Sequence, residues 1–394
     1  MKITNISYTQ KNNTCVLSAD IVLKRGKKHV IYFEVEKKYK DFIAKDTSPF
    51  LSTALPIAMK KRENLAIDGS VSKQVLDNTP EIMRILKGWN VGFHPVSIKP
   101  NKVTLDVEKS KNSACFFSGG VDSFYTYRKN KTNIQYLIFV HGFDINANNY
   151  SLYKKIEKNI KNIAKKDTIE LVKVRTNIRD IFEQYFDWNM AHIFALASVS
   201  LFLRNGFKEI YMSCGQSDIN EEHHFMSPEL DILWSTENMT IRHYGCDADK
   251  IIKLKYLSGE PLAMENLRVC WLNKGKEYNC SECEKCFRNM LALYVSDSLY
   301  RCKTFKHQFN TGILKNIVAD EHVLQYFIAA QHVLESKNDN SPVRLALEEC
   351  IKRNKFPTLA QKVYRNTRST FRYFDQKYNR NRLYWFLAQR GFIA

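Results

Sequence analysis

Glycine is scarce in this chain, 14 among 394 residues, and long apolar runs are missing altogether. The longest, Ile193 to Leu203, carries serines and is too short to cross a bilayer. The opening residues, MKITNISYTQ, have neither the apolar core nor the cleavage site of a secretory signal. A cytoplasmic protein with no membrane association is therefore expected. No internal repeat and no low-complexity linker interrupts the chain. Acidic residues are also in short supply, 41 Asp and Glu against 60 Lys and Arg, for a net charge of +19. The deficit is concentrated at one end, where residues 351–394 hold eleven Lys and Arg and a single acid, Asp375. A bulk positive charge does not by itself identify a nucleic-acid binder.

What is present is a globular composition, 44% hydrophobic and 12% aromatic, in a chain long enough for two or three domains. Residues 1–40 alternate apolar and polar side chains in TCVLSADIVL and HVIYFEVEKKY, with a turn signal at Arg25-Gly-Lys-Lys28 between them. That pattern predicts a β-hairpin. Helical periods follow near 50–61 and 71–88, then short strands near 95–99 and 103–108. Together they predict a small α+β N-terminal domain over 1–110.

From about residue 112 the pattern becomes strand–helix alternation. ACFF, YLIFV, IELVKV and KEIYMSC are the strands, and a long helix lies near 190–204. Alternation of this kind predicts an α/β fold with a parallel, Rossmann-like sheet and helices on both faces. Ligands of such sheets bind beyond the carboxyl ends of the strands. Three loops fall there: the segment after ACFF, HGFD at 141–144, and CGQSD at 214–218. The expected organisation is a second domain over 111–295 and a helical, basic C-terminal region over 296–394.

Two of the few glycines stand side by side in Ser118-Gly119-Gly120-Val121-Asp122-Ser123, between a strand and a helix. Paired glycines let the backbone approach an anion closely, and the helix that follows offers its N-terminal amides. Ser118 and Ser123 add hydroxyl donors. The loop has no lysine, so it is not a Walker cradle. Ten cysteines in so long a chain do not read as a secreted disulfide scaffold. Cys270, Cys280, Cys283 and Cys286 have the spacing C-x9-C-x2-C-x2-C. Four thiolates so spaced predict a closed, structural Zn2+ site, whose charge of about −2 would be offset by Lys274, Lys276, Lys285 and Arg288. Redox pairing is the rival reading.

The hexapeptide resembles the SGGxDS signature of the PP-loop ATP pyrophosphatases. With the late cysteine quartet, residues 112–295 resemble the 7-cyano-7-deazaguanine synthase-like members of that family, and the resemblance extends to proteins of bacterial antiviral defence systems. It implies a sheet of the adenine nucleotide alpha hydrolase type. It also implies an ATP-dependent carbon–nitrogen ligase that adenylates a carboxylate on a deazapurine-like small molecule, releases pyrophosphate and passes the acyl group to an amine. A PP-loop enzyme that adenylates a tRNA base is the alternative. ATP, Mg2+ and Zn2+ are the implied cofactors, and a homo-oligomer is expected.

On this resemblance Ser118 to Ser123 grip the pyrophosphate. Asp122 either meets phosphate through Mg2+ or caps the helix. Asp144 lies where the fold holds adenosine, beside His141. Ser213, Gly215, Gln216 and Asp218 sit on the binding rim, and Gln216 could read a base edge. Lys250, in DADKIIK, stands in the place of a synthase lysine and would stabilise the substrate carboxylate or adenylate; a surface helix lysine is the other reading. Arg179 could hold an anion or face solvent, and His192 is either a packed or a site histidine. Asp231 and Ser235 could meet a polar substrate. Cys214 could act in sulfur transfer, though the sheet region has no CxxC. In the tail, Arg365, Arg368 and Arg372 share one helical face opposite Val363, Thr367, Phe371, Phe374 and Tyr378. That face suits solvent, a phosphate backbone, or an acidic protein partner.

Overall fold

The computed structural model describes residues 1–105, 110–145, 150–215, 227–270, 278–306, 309–315, 317–319 and 321–356, together with residues 367, 371, 375, 383 and 387. The chain divides into two compact units, one of residues 1–118 and 125–247, the other of 119–124 and 248–394.

The first unit is built on a single sheet. Its strands are β1 (Lys2–Lys11), β2 (Thr14–Val22), β3 (Lys28–Glu36), β4 (Leu65–Ser72), β5 (Ile98–Thr104), β6 (Ser113–Phe116), β7 (Tyr136–His141), β8 (Glu170–Thr176), β9 (Glu209–Ser213) and β10 (Thr240–Tyr244). They lie in the order β10-β9-β6-β7-β8-β3-β2-β1-β4-β5. Strands β6 to β10 pair only in parallel among themselves. The β2–β3 hairpin is antiparallel and turns at Gly26, as its alternation predicts. Strand β3 then joins β8 antiparallel, with Phe33 opposite Thr176. The result is an α/β fold with a large, mostly parallel sheet.

The expected boundary near residue 110 is therefore not a division of the sheet. Strands β1 to β5 extend the strand–helix half through the β3–β8 pairing. The apolar face of β3 (Ile31, Phe33, Val35) is buried in the same cluster as β7 and β8. A separate small domain would leave that face and edge unpaired. Two strands were expected near 95–99 and 103–108; the described residues there hold one, β5, and residues 106–109 lie outside them.

The helices of the first unit are α1 (Ser48–Lys61), α2 (Lys73–Gly88), α3 (Val121–Lys129, which begins in the second unit), α4 (Tyr150–Lys166), α5 (Ile178–Phe182), α6 (Trp188–Phe202) and α7 (Pro228–Asp231). Helix α1 is buried from Ser48 to Met59, and α6 is apolar all round. A helix without a polar face must lie inside. Where the two meet, Ser198 Oγ lies 2.6 Å from Ser52 Oγ and 2.9 Å from Thr53 Oγ1, so the polar atoms enclosed there satisfy one another.

The second unit holds α8 (Lys250–Leu257), α9 (Pro261–Asn266), α10 (Glu284–Val295), α11 (Glu321–Ser336) and α12 (Pro342–Lys355). Its core gathers Phe287, Leu291, Phe327, Leu334 and Leu347. The arginines Arg365, Arg368 and Arg372, with Val363, Phe374 and Tyr378, lie outside the described residues. Among the described residues no helix is long and apolar enough to cross a membrane.

Candidate active site and metal centre

In the second unit the loop opens at Gly119, whose φ of +79° is left-handed. That conformation costs a residue with a Cβ about 1–2 kcal/mol, which is the reason for glycine here. Gly119 O accepts from Arg268 N at 2.9 Å. Gly120 O accepts from Phe124 N at 2.9 Å, the first turn of α3, and from Ser123 Oγ at 3.0 Å. The Ser123 hydroxyl thus braces the loop. Val121 is buried and begins the helix.

Asp122 sits in that first helical turn, and its partners are lysines. Lys250 Nζ donates to Oδ2 at 2.6 Å and Lys253 Nζ to Oδ1 at 3.0 Å. The two lysines are three residues apart on α8, so they share a face. Asp249 caps α8 by accepting from Ile252 N at 2.8 Å. Burial alone would raise the Asp122 carboxyl, but the two ammonium groups hold it below its usual range. Burial pulls Lys250 down to about 8, opposed by Asp122 and reinforced by Lys253 and Lys285. The Lys253 side chain is only 1% exposed. A carboxylate between two lysines leaves one net positive charge beside the glycine loop, with buried Arg268 next to Gly119. Such a cationic, partly desolvated pocket suits an anion. Asp122 also stands in the first turn of α3, where a carboxylate faces the positive end of the helix dipole.

The cysteine quartet is also in this unit. Cys270, Cys280, Cys283 and Cys286 are buried, with all four sulfurs within 4.8 Å of one another. Local structure gathers them. Cys283 N donates to Cys280 Sγ at 3.3 Å, and Cys286 N to Cys283 Sγ at 3.4 Å as Cys283 caps α10. Asn279 clamps the incoming segment: its Oδ1 accepts from Val269 N and Cys270 N, and its Nδ2 donates to Leu267 O and Thr304 Oγ1. None of the four is in a disulfide. Four convergent soft donors could hold a metal ion such as zinc. Lys274 and Lys276 lie outside the described residues, and Arg288 is taken by Glu284 at 3.0 Å.

In the first unit, β6, β7 and β9 end on one edge of the sheet, followed by Ser118, by His141 to Asp144, and by Ser213 to Gly215. Asp144 is exposed there. His141 is buried and stacks on Tyr153 at 4.0 Å. The remaining expectations fare differently. Arg179 is occupied, bonded to Glu183, to Phe143 O at 2.5 Å, and lying over the Trp188 ring. His192 packs on α6 with Nδ1 3.3 Å from Trp188 O, and burial pushes it below the usual imidazole range. Asp231 is buried and bonded to His243 Nδ1 at 2.5 Å. Ser235 accepts from Ile241 N at 3.0 Å, a structural role. Gln216 and Asp218 lie outside the described residues.

Lys253, Arg268, Asn279, His243 and Cys246 escaped the sequence reading. Only Lys253 carried a usable signal, its helical spacing from Lys250. Comparison with known proteins adds no relative: no family model, no curated protein and no solved structure matches the chain.

Proposed function

We propose that this protein is an ATP-dependent carbon–nitrogen ligase of the PP-loop type, with a sheet of the adenine nucleotide alpha hydrolase kind. The observation that carries the reading is the loop from Ser118 to Ser123, with Gly119 left-handed at its turn and two lysines converging on the first turn of the helix that follows. In this reading an oxygen of a carboxylate substrate, of the deazapurine acid class, attacks the α-phosphorus of ATP. The bond to the bridging oxygen breaks and pyrophosphate leaves. An amine then attacks the acyl carbon and AMP departs.

The loop amides and the charge of Lys250 would stabilise the negative charge that develops on phosphate oxygens. Preorganised donors of this kind do the same in acyl and phosphoryl transfer generally. Lys253, fully buried, would keep Asp122 and Lys250 in place. The quartet would bind Zn2+ as a closed structural site that ties the segment around Asn279 to α10. Mg2+ belongs to this reading as the ion that accompanies the triphosphate, and no step is routed through it.

The test is formation of AMP and pyrophosphate from ATP with 7-carboxy-7-deazaguanine and an amine, followed by mass spectrometry, with and without tRNA. Turnover that needs only the acid supports the ligase, and turnover that needs tRNA favours the base-modifying alternative. Gly119→Ala should lower the rate, because a residue with a Cβ resists the left-handed turn by about 1–2 kcal/mol and the loop amides shift. The protein should stay folded, since an added Cβ meets no atom closer than 3.9 Å. A folded Gly119→Ala protein with unchanged turnover would remove the loop from the reaction.

A further inference from the structure

We propose that Cys214, His243 and Cys246 form a second metal site, separate from the cysteine quartet and different in kind. The donors come from two neighbouring parallel strands of the first unit. Cys214 follows directly on β9, and its N–H donates to Tyr244 O, the last residue of β10, at 2.9 Å. His243 is the penultimate residue of β10, in register with Met212. Gly245, with φ +88°, then turns the chain back, so that Cys246 comes to 5.1 Å from Cys214 between Cα atoms. The two sulfurs and a ring nitrogen of His243 all lie within 4.8 Å of one another.

The histidine is set up as a ligand. Its side chain is 3% exposed, and that of Asp231 is 2% exposed. Nδ1 is bonded to Asp231 Oδ2, while the enclosed Nε2 has no hydrogen-bond partner among the described residues. A carboxylate that takes Nδ1–H fixes the tautomer whose Nε2 presents a lone pair, the arrangement in which metal-bound histidines are usually held. Leaving a buried acceptor unmet is costly, and a metal would meet it.

In the structure Cys214 and Cys246 are joined as a disulfide, so the metal form requires both as thiolates. Two thiolates and a neutral imidazole balance a divalent cation, which makes enclosure electrostatically acceptable. Zn2+ or another metal that accepts soft sulfur is the expected occupant. Three protein donors leave the fourth tetrahedral position to water or a polar substrate atom, as in catalytic zinc sites and unlike the four-cysteine centre. That open position would lie at the carboxyl edge of the sheet.

The experiment uses the full chain purified anaerobically with a phosphine reductant, loaded with Zn2+ and freed of loose metal on a chelating column. Zinc is counted by mass spectrometry, and a parallel Co2+ sample is read by its thiolate charge-transfer absorption. One more equivalent of zinc is expected in the wild type than in Cys246→Ser or His243→Ala. The part of the Co2+ band lost in Cys246→Ser should survive in Cys283→Ser, which damages only the quartet. Equal zinc content in wild type and Cys246→Ser would overturn the proposal. So would a Cys214–Cys246 linked peptide recovered in full from the reduced, alkylated protein.

Discussion

Lys250 is the side chain whose charge is most finely placed. Its pKa of about 8 lies below the ordinary 10.5, because burial disfavours the ammonium and Lys253 and Lys285 repel it. The unfolded chain therefore binds more protons than the folded one between these two values. By linkage, folding stability gains from this group as pH rises from about 8 to 10.5, and the deficit is complete below 8. Urea unfolding of wild type and Lys250→Met across that interval should show the wild type gaining on the variant. A difference that stays flat would mean Lys250 titrates where an exposed lysine does. Asp122 behaves oppositely, since its lowered carboxyl loses its lysine partners' stabilisation only in acid.

Between elements, the most consequential polar contact joins the start of α1 to the end of α6. Arg204 grips Asp46 through both carboxylate oxygens, at 2.6 and 3.1 Å, with side chains 5% and 10% exposed. Asp46 Oδ1 also accepts from Ser48 N as α1 begins. Asp46→Ala would strand a buried guanidinium, so a loss of about 3–5 kcal/mol is expected in urea unfolding. A loss near that of an exposed pair, about 1 kcal/mol or less, would show that Arg204 reaches water.

Elements with one clean period were readable in advance: the β2–β3 hairpin, α1, α2, and α6 with its unbroken apolar run. Strand β4 was not, because Asp68 and Gly69 interrupt LAIDGSVS and helices flank it on both sides. Strand β10 was hidden for a similar reason, since five residues of TIRHY are too few to separate from a loop. With it went His243 and Cys246, whose meaning depends on β9 and β10 being neighbours. The glycine loop and the cysteine quartet were legible because their spacing is local. The grip of two lysines on Asp122 is not local, so no spacing in the sequence signals it.

For the molecule as a whole, the two units should respond unequally to metal loss. On the proposed zinc reading of the quartet, chelation is expected to free the four cysteines and loosen what they anchor, because binding energy at a structural zinc site is folding energy. Hydrogen exchange after treatment with a strong chelator should show protection lost over residues 278–295, while β2, β3 and β6 to β8 keep theirs. Uniform protection throughout would place the stability of that region in the α10–α12 core instead.

The antiparallel seam at Phe33 and Thr176 bears on how the chain is made. A ribosome adding about 5–20 residues per second needs roughly 7–30 s to pass from one to the other. For that interval the hairpin has been synthesised but its outer edge has no mate, and the apolar helix behind it waits still longer for α6. The nascent N-terminal portion thus carries an unpaired strand edge and an uncovered apolar face until the middle of the sheet emerges.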